Sequence, residues 1–179
     1  VLAEALLEGV AELTDRATDA TTAISINGER LTCSTSISEP VTLARAYAAA
    51  CPAPFVELGE RLGVEGLGNA ITRWGLTTPP TLEIPAESSN WDASVLTTSA
   101  ALRAEAVGQG RLTLTPLQMT LIAATLANDG AMPTPRLSPQ TPAASRPLLP
   151  PDLAQALLAA WTRYGSDTLG YQIGRASCR

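Results

Sequence analysis

The sequence predicts a mainly helical chain with a few antiparallel strands. Three observations carry that expectation. Apolar residues recur at helical spacing in five stretches, several of them bounded by capping residues, glycine or proline. Only two stretches, 22–33 and 168–177, stand out as strand candidates, and the first contains an Asn-Gly pair. With 45% hydrophobic and 16% charged residues, the 179-residue chain can bury a core, and we take 1–179 as one domain.

The elements follow in order. Residues 1–13, VLAEALLEGVAEL, place Leu2, Ala5, Leu6 and Val10 on one helical face and Glu4, Glu8 and Glu12 on another. The pattern opens with no capping residue before Val1, so the domain is expected to be incomplete at its N-terminus. Residues 22–33 alternate around Asn27-Gly28 and predict a hairpin. Thr42 can cap a helix from Leu43 to about Cys51, where Pro52 and Pro54 interrupt. PFVELGERLG then restarts a helix that Gly63 can end. Residues 63–92, rich in Gly, Thr and Pro, predict a long irregular connection anchored by Trp74 and Trp91. Thr115-Pro116-Leu117-Gln118 is a capping box with proline at the first helical position. Its helix turns Leu117, Leu121, Ala124 and Thr125 inward and stops at Asn128-Asp129-Gly130. Seven prolines make 131–151 mostly loop. A last helix runs from Asp152 to about Tyr164, with Leu153, Ala156, Leu157 and Ala160 on one face and Gly165 at its end.

Composition excludes whole classes of chemistry. Seventeen acids oppose twelve bases, for a net charge of −5, which disfavours nucleic acid as a partner. All twelve bases are Arg, and there is no His. Without His there is no Ser-His-Asp or Cys-His pair and no imidazole metal ligand. Without Lys there is no Lys base, Schiff base or phosphate-loop lysine, and Arg does not give up its proton near neutral pH. Cys33, Cys51 and Cys178 form no Cys-x-x-Cys pair, so neither a metal nor a cofactor is expected. Cys33 and Cys51 are either paired in an oxidising compartment or two small buried hydrophobes, the second being the leading expectation. Cys51 lacks a His partner and precedes Pro52, which argues against a nucleophile. No apolar run reaches the ~18 residues of a membrane helix, and no basic n-region marks a signal peptide.

The segment Gly108-Gln109-Gly110-Arg111-Leu112-Thr113-Leu114-Thr115-Pro116-Leu117-Gln118-Met119 resembles the Gly-Gln-Gly … Thr-Pro-Leu-Gln-Met segment of penicillin-binding protein transpeptidase domains. Ala127-Asn128-Asp129-Gly130 and Pro133-Thr134-Pro135 resemble that family's helix end, Ala-Asn-Gly-Gly, and the Pro-Thr-Pro beyond it. Ala46 to Gly59 is similar to the helix carrying the family's second motif, and Trp74-Gly75-Leu76 and Ile84-Pro85 fall where the family has Phe-Gly-Leu and Leu-Pro. The resemblance runs in order over roughly 41–136. It implies an α/β transpeptidase fold, an antiparallel sheet flanked by helices, of which this chain holds mainly the helical part. It also implies serine acyl transfer in peptidoglycan synthesis, an extracytoplasmic location, and a membrane anchor in the full-length protein.

The family's catalytic motifs are missing from the places where they should stand. Ser-x-x-Lys should lie just before Val1 and is not in this sequence. Ser-x-Asn should fall on Ala50, Cys51 and Pro52, which supply neither Ser nor Asn. Lys-Thr-Gly should lie near Tyr171–Ser177, which reads Tyr-Gln-Ile-Gly-Arg-Ala-Ser. Ser88-Ser89-Asn90 spells the second motif literally, but far downstream, and reads as a turn or cap ahead of Trp91. We assign no catalytic residue. Gly108, Gln109, Gly110, Thr115, Pro116 and Gln118 are expected to be structural, with a tight turn explaining the glycines and a cap explaining the rest. Arg111 and Arg136 could hold an anionic peptide, but are read first as solvent-facing. The leading expectation is therefore an inactive transpeptidase-like domain binding peptidoglycan peptide or cell-wall assembly proteins. The alternatives are a fragment of an active D-Ala-D-Ala transpeptidase and a non-enzymatic helical scaffold.

Overall fold

Short helices arise wherever a cap and an apolar face coincide. The computed structural model describes residues 1–169. Helix α1 (Leu2–Leu7) is shorter than the 1–13 pattern suggests, because the chain turns at Gly9. Strands β1 (Ile24–Ile26) and β2 (Glu29–Leu31) pair antiparallel, with Ile26 opposite Glu29. Asn27 and Gly28 both have positive φ, as a two-residue hairpin turn of this twist requires. Helix α2 (Leu43–Ala48) is capped by the Thr42 side chain, which accepts from the Arg45 amide.

Helix α3 (Pro52–Arg73) corrects the expectation of an irregular 63–92 connection. Gly63 does end a helix, at φ 68° and ψ −171°, but a second helical segment continues directly to Arg73. The glycines at 66 and 68 weaken the helical signal in the sequence, yet Leu67, Ala70 and Ile71 are buried there. A 3-10 turn (Ala93–Val95) leads to α4 (Ser99–Ala106), capped by Thr98, and then to α5 (Pro116–Ala127). Helix α5 has the predicted capping box: Thr115 Oγ1 accepts from the Gln118 amide at 3.2 Å, and Gln118 Oε1 accepts from the Thr115 amide at 3.0 Å. Its buried residues are Gln118, Leu121, Thr125 and Leu126, while Leu117 and Ala124 are only half-buried.

The proline-rich 131–151 region contains a hairpin that the sequence did not announce, β3 (Ala131–Pro133) with β4 (Ser145–Pro147). Helix α6 (Pro151–Leu169) passes through Gly165 rather than stopping there. On it Ala154, Leu157 and Ala160 are buried and Ala156 is exposed, so the expected face is rotated. Residues 168–169, expected as a strand start, belong to α6, and 170–177 lie outside the described residues. No helix among the described residues is long and apolar enough to cross a membrane.

Helix α3 packs on α1 and α4, and α6 packs on α2 and α5. The largest core joins Leu2 and Ala5 of α1, Leu43 and Ala46 of α2, Leu58 and Leu62 of α3, and Leu157 of α6. Each such leucine contributes about 1.5–3 kcal/mol of burial. A second core gathers Leu67, Ile71, Leu96 and Leu102, with Trp91 and Leu76 against them. Trp74 packs on the first core. Both tryptophans are thus the packing anchors the sequence suggested. Gly59 lets α3 meet α4, since a Cβ there would overlap that of Ala106.

Candidate functional site

The turn between α2 and α3 carries Ala50, Cys51 and Pro52. Helix α2 closes as a Schellman motif: the Cys51 amide donates to the Ala46 carbonyl at 2.9 Å and the Ala50 amide to the Tyr47 carbonyl at 3.1 Å. Ala50 takes the left-handed position of that motif at φ 48°, where glycine is usual, and it is exposed. Cys51 is also the N-cap residue of α3, but its side chain makes no cap hydrogen bond. Pro52 fills the first helical position and has no N–H. The break between α2 and α3 is confined to residues 49–51, shorter than the expected 50–54, because Pro52 and Pro54 fit the first turn of α3 rather than interrupting it. Residues 50–54 carry no hydroxyl and no amide side chain.

The two cysteines correct our leading expectation. Cys33 and Cys51 form a disulfide, and Cys51 is fully buried. The Ser34 amide also donates to the Ala49 carbonyl at 2.9 Å. Bond and bridge together tie the segment after β2 to the turn, so no free thiol stands at Cys51. Linear spacing could not decide this pairing. The one available signal was the oxidising compartment that the resemblance implied.

The Gly108-Gln109-Gly110 turn is built around a carboxylate that the sequence reading missed. Glu105 is 8% exposed and its two oxygens accept from the Arg111 amide at 2.9 Å and the Leu112 amide at 2.8 Å. A Cβ on Gly110 would overlap that carboxylate. The Gln109 carbonyl accepts from the Asn27 side chain at 2.8 Å, which fastens the turn to the β1–β2 hairpin. Gln118 is buried and donates to the Leu76 carbonyl at 2.7 Å, in addition to its capping role. Gly108 takes a left-handed φ of 73°, so Thr115, Pro116, Gln118 and both glycines have local structural reasons for their identity. Arg111 and Arg136 are exposed, and Arg136 donates to the Thr141 carbonyl.

Ser88-Ser89-Asn90 serves as a strap. The Ser88 hydroxyl donates to the Thr77 carbonyl at 3.1 Å, and the buried Ser89 hydroxyl accepts from the Thr113 amide at 3.4 Å. Neither is hydrogen-bonded to the 50–54 turn. An apolar cavity of about 310 Å3 lies between the helices, lined by Leu67, Trp74, Ile122 and Leu157 with Tyr47 and Glu105 at its wall. Burial pushes the Tyr47 phenol above its ordinary pKa. Glu4, expected on a separate face with Glu8 and Glu12, is fully buried beside Arg73 of α3, whose Nε lies 3.2 Å from both carboxylate oxygens.

The profile of the penicillin binding protein transpeptidase domain matches residues 1–150. The chain is 39% identical over 97 residues to the peptidoglycan D,D-transpeptidase PbpA of Mycolicibacterium smegmatis, covering 54% of this chain and 20% of that protein. It is 35% identical over 136 residues to PbpA of Mycobacterium tuberculosis, covering 76% of this chain and 24% of that protein. It therefore spans about a fifth to a quarter of the length of these relatives. Among solved structures it resembles the ceftriaxone acyl-enzyme complex of M. tuberculosis penicillin-binding protein A, with TM-score 0.74 and 29% identity over 90% of this chain and 40% of that one. The helical architecture, the capped Thr-Pro-Leu-Gln-Met helix and these matches place the chain in the penicillin-binding protein transpeptidase family.

Proposed function

We propose that this chain is a transpeptidase-like domain of peptidoglycan synthesis that performs no acyl transfer of its own. The observation that carries the reading is the 50–54 turn. Acyl transfer in this family needs a polar second motif beside the nucleophile. Here Ala50 has no polar atom, the Cys51 sulfur is consumed in a disulfide, and Pro52 presents a ring. The sequence holds no lysine that could take up a serine proton, and a guanidinium cannot replace it. The link to peptidoglycan rests on the relatives named as peptidoglycan D,D-transpeptidases. An extracytoplasmic location is supported by the Cys33–Cys51 bridge, since such bonds persist in oxidising compartments. The remaining roles are binding of cell-wall peptide or scaffolding of cell-wall assembly proteins.

A second reading is a portion of an active D,D-transpeptidase whose nucleophile lies outside these residues. The chain's small share of its relatives' length favours it. Release of D-alanine from a peptide ending in D-Ala-D-Ala separates the two. The inactive reading expects none above a no-protein blank, both from this chain and from any longer product containing it. Turnover by the longer product would support the second reading.

A further inference from the structure

At the far end of α3 from the 50–54 turn, the chain leaves Arg73 and runs through Trp74 into a segment containing Pro79 and Pro80. This segment faces the β3–β4 hairpin across the first half of α5. Between them lies an open groove of about 360 Å3 walled by Trp74, Leu76, Pro79, Pro133 and Pro135. Its only charged lining residue is Arg146 of β4. Arg146 Nη1 donates to the Arg73 carbonyl at 2.9 Å, and Nη2 stands 3.9 Å from Met132 Sδ. The guanidinium is therefore oriented at the groove. Among the described residues it has no carboxylate partner, whereas Arg73 beside it is matched by Glu4.

We propose that this groove docks an extended peptide segment carrying a carboxylate beside an apolar side chain. The indole and proline rings are rigid, so covering them costs little conformational freedom and rewards an apolar side chain. The planar Arg fork matches a carboxylate, and the lack of any acid in the lining favours an anionic partner over a cationic one. A free phosphate could use the guanidinium and the Thr78, Thr81 and Thr134 hydroxyls, but it would leave the indole and proline rings uncovered, so the apolar wall favours a ligand that also carries an apolar side chain. The groove is open and bounded on one side by the extended β3–β4 hairpin and on the other by the 74–81 turn and loop, which suits a peptide lying along the hairpin. The inference is independent of whether the chain catalyses acyl transfer, because the groove lies beyond Arg73, at the opposite end of α3 from the second-motif turn.

The test titrates acetyl-Leu-Glu-Leu amide into the nitrogen-15-labelled full chain, with acetyl-Leu-Gln-Leu amide as the neutral isostere. Saturable shifts are expected at the Trp74 indole and at the amides of Gly75, Leu76 and Thr134. The Gln peptide should bind about three- to tenfold more weakly, the effect of one partly exposed Arg–carboxylate pair. Arg146→Gln should bring the two peptides to the same affinity. Equal affinities for the unaltered protein, shifts confined elsewhere, or no saturation would overturn the proposal. The two-peptide comparison needs no variant, so it decides the proposal even if Arg146→Gln fails to fold.

Discussion

Arg73→Met and Glu4→Gln break one ion pair from opposite sides, and their costs should differ. The Glu4 side chain is 0% exposed and the Arg73 side chain 45% exposed. Removing Arg73 strands a carboxylate that has no other hydrogen-bond donor among the described residues, and an uncompensated buried charge costs about 3–5 kcal/mol. Neutralising Glu4 leaves a guanidinium that already reaches water. The loss is then that of one charged hydrogen bond discounted for solvent, about 1 kcal/mol. The contact is a single Nε–H shared between two oxygens rather than a parallel fork, which also favours the lower figure. Arg73→Met should therefore exceed Glu4→Gln by about 2–4 kcal/mol. The double variant should be more stable than Arg73→Met alone, because the stranded charge is gone. Urea unfolding of all four proteins near neutral pH, with the slopes compared, reads both differences. Equal single-variant costs, or a costlier Glu4→Gln, would refute the argument that asymmetric exposure decides which partner matters.

Three further outcomes follow from the local geometry. Ala50→Gly should stabilise by about 0.5–1 kcal/mol, since the left-handed position penalises a Cβ more than glycine's added unfolded-state entropy costs; a loss in urea unfolding would contradict the turn as described. Thr115→Ala should cost about 1 kcal/mol and Leu121→Ala about 2–5 kcal/mol, and thermal unfolding that leaves both unchanged would show that 115–128 is not a capped, inward-facing helix. The Thr141 hydroxyl at 2.7 Å, then Glu83's own backbone amide, then the Leu137 amide at 3.0 Å hold the Glu83 carboxyl below the usual carboxylate range. A lowered folded-state pKa gives a contribution present near neutral pH and lost as pH falls through that value. Hydrogen exchange at Leu137 should accelerate relative to its intrinsic rate on acidification, and a Glu83 titration at or above that of a free glutamate would sink this.

Features that depend on neighbouring residues were legible in the sequence. The Thr115 box, the Thr42 cap, the Asn27-Gly28 hairpin and the break at Gly63 are all set within a few residues, and the structure has each of them. What escaped depends on partners distant in the chain. Glu4 looked like one acid of a solvent stripe because its cation stands at Arg73. The 64–73 helix was hidden by glycines whose cost is offset by burial of Leu67 and Ile71. The β3–β4 hairpin escaped because prolines at 133 and 147 sit at the ends of strands only three residues long. At the candidate site, the replaced second motif was readable residue by residue, while the disulfide and the carboxylate inside the Gly-Gln-Gly turn were not. No spacing rule predicts a bond that a fold creates.

The central claim, that the second-motif turn supports no acylation, is tested most directly by intact-protein mass spectrometry of this chain and of a longer product containing it, after incubation with penicillin G. Both masses should remain those of the untreated proteins, because Ala50, the disulfide-bound Cys51 and Pro52 provide no proton path at the second motif. A stable increase equal to the mass of penicillin G on either protein, mapped by digestion to a serine, would contradict it.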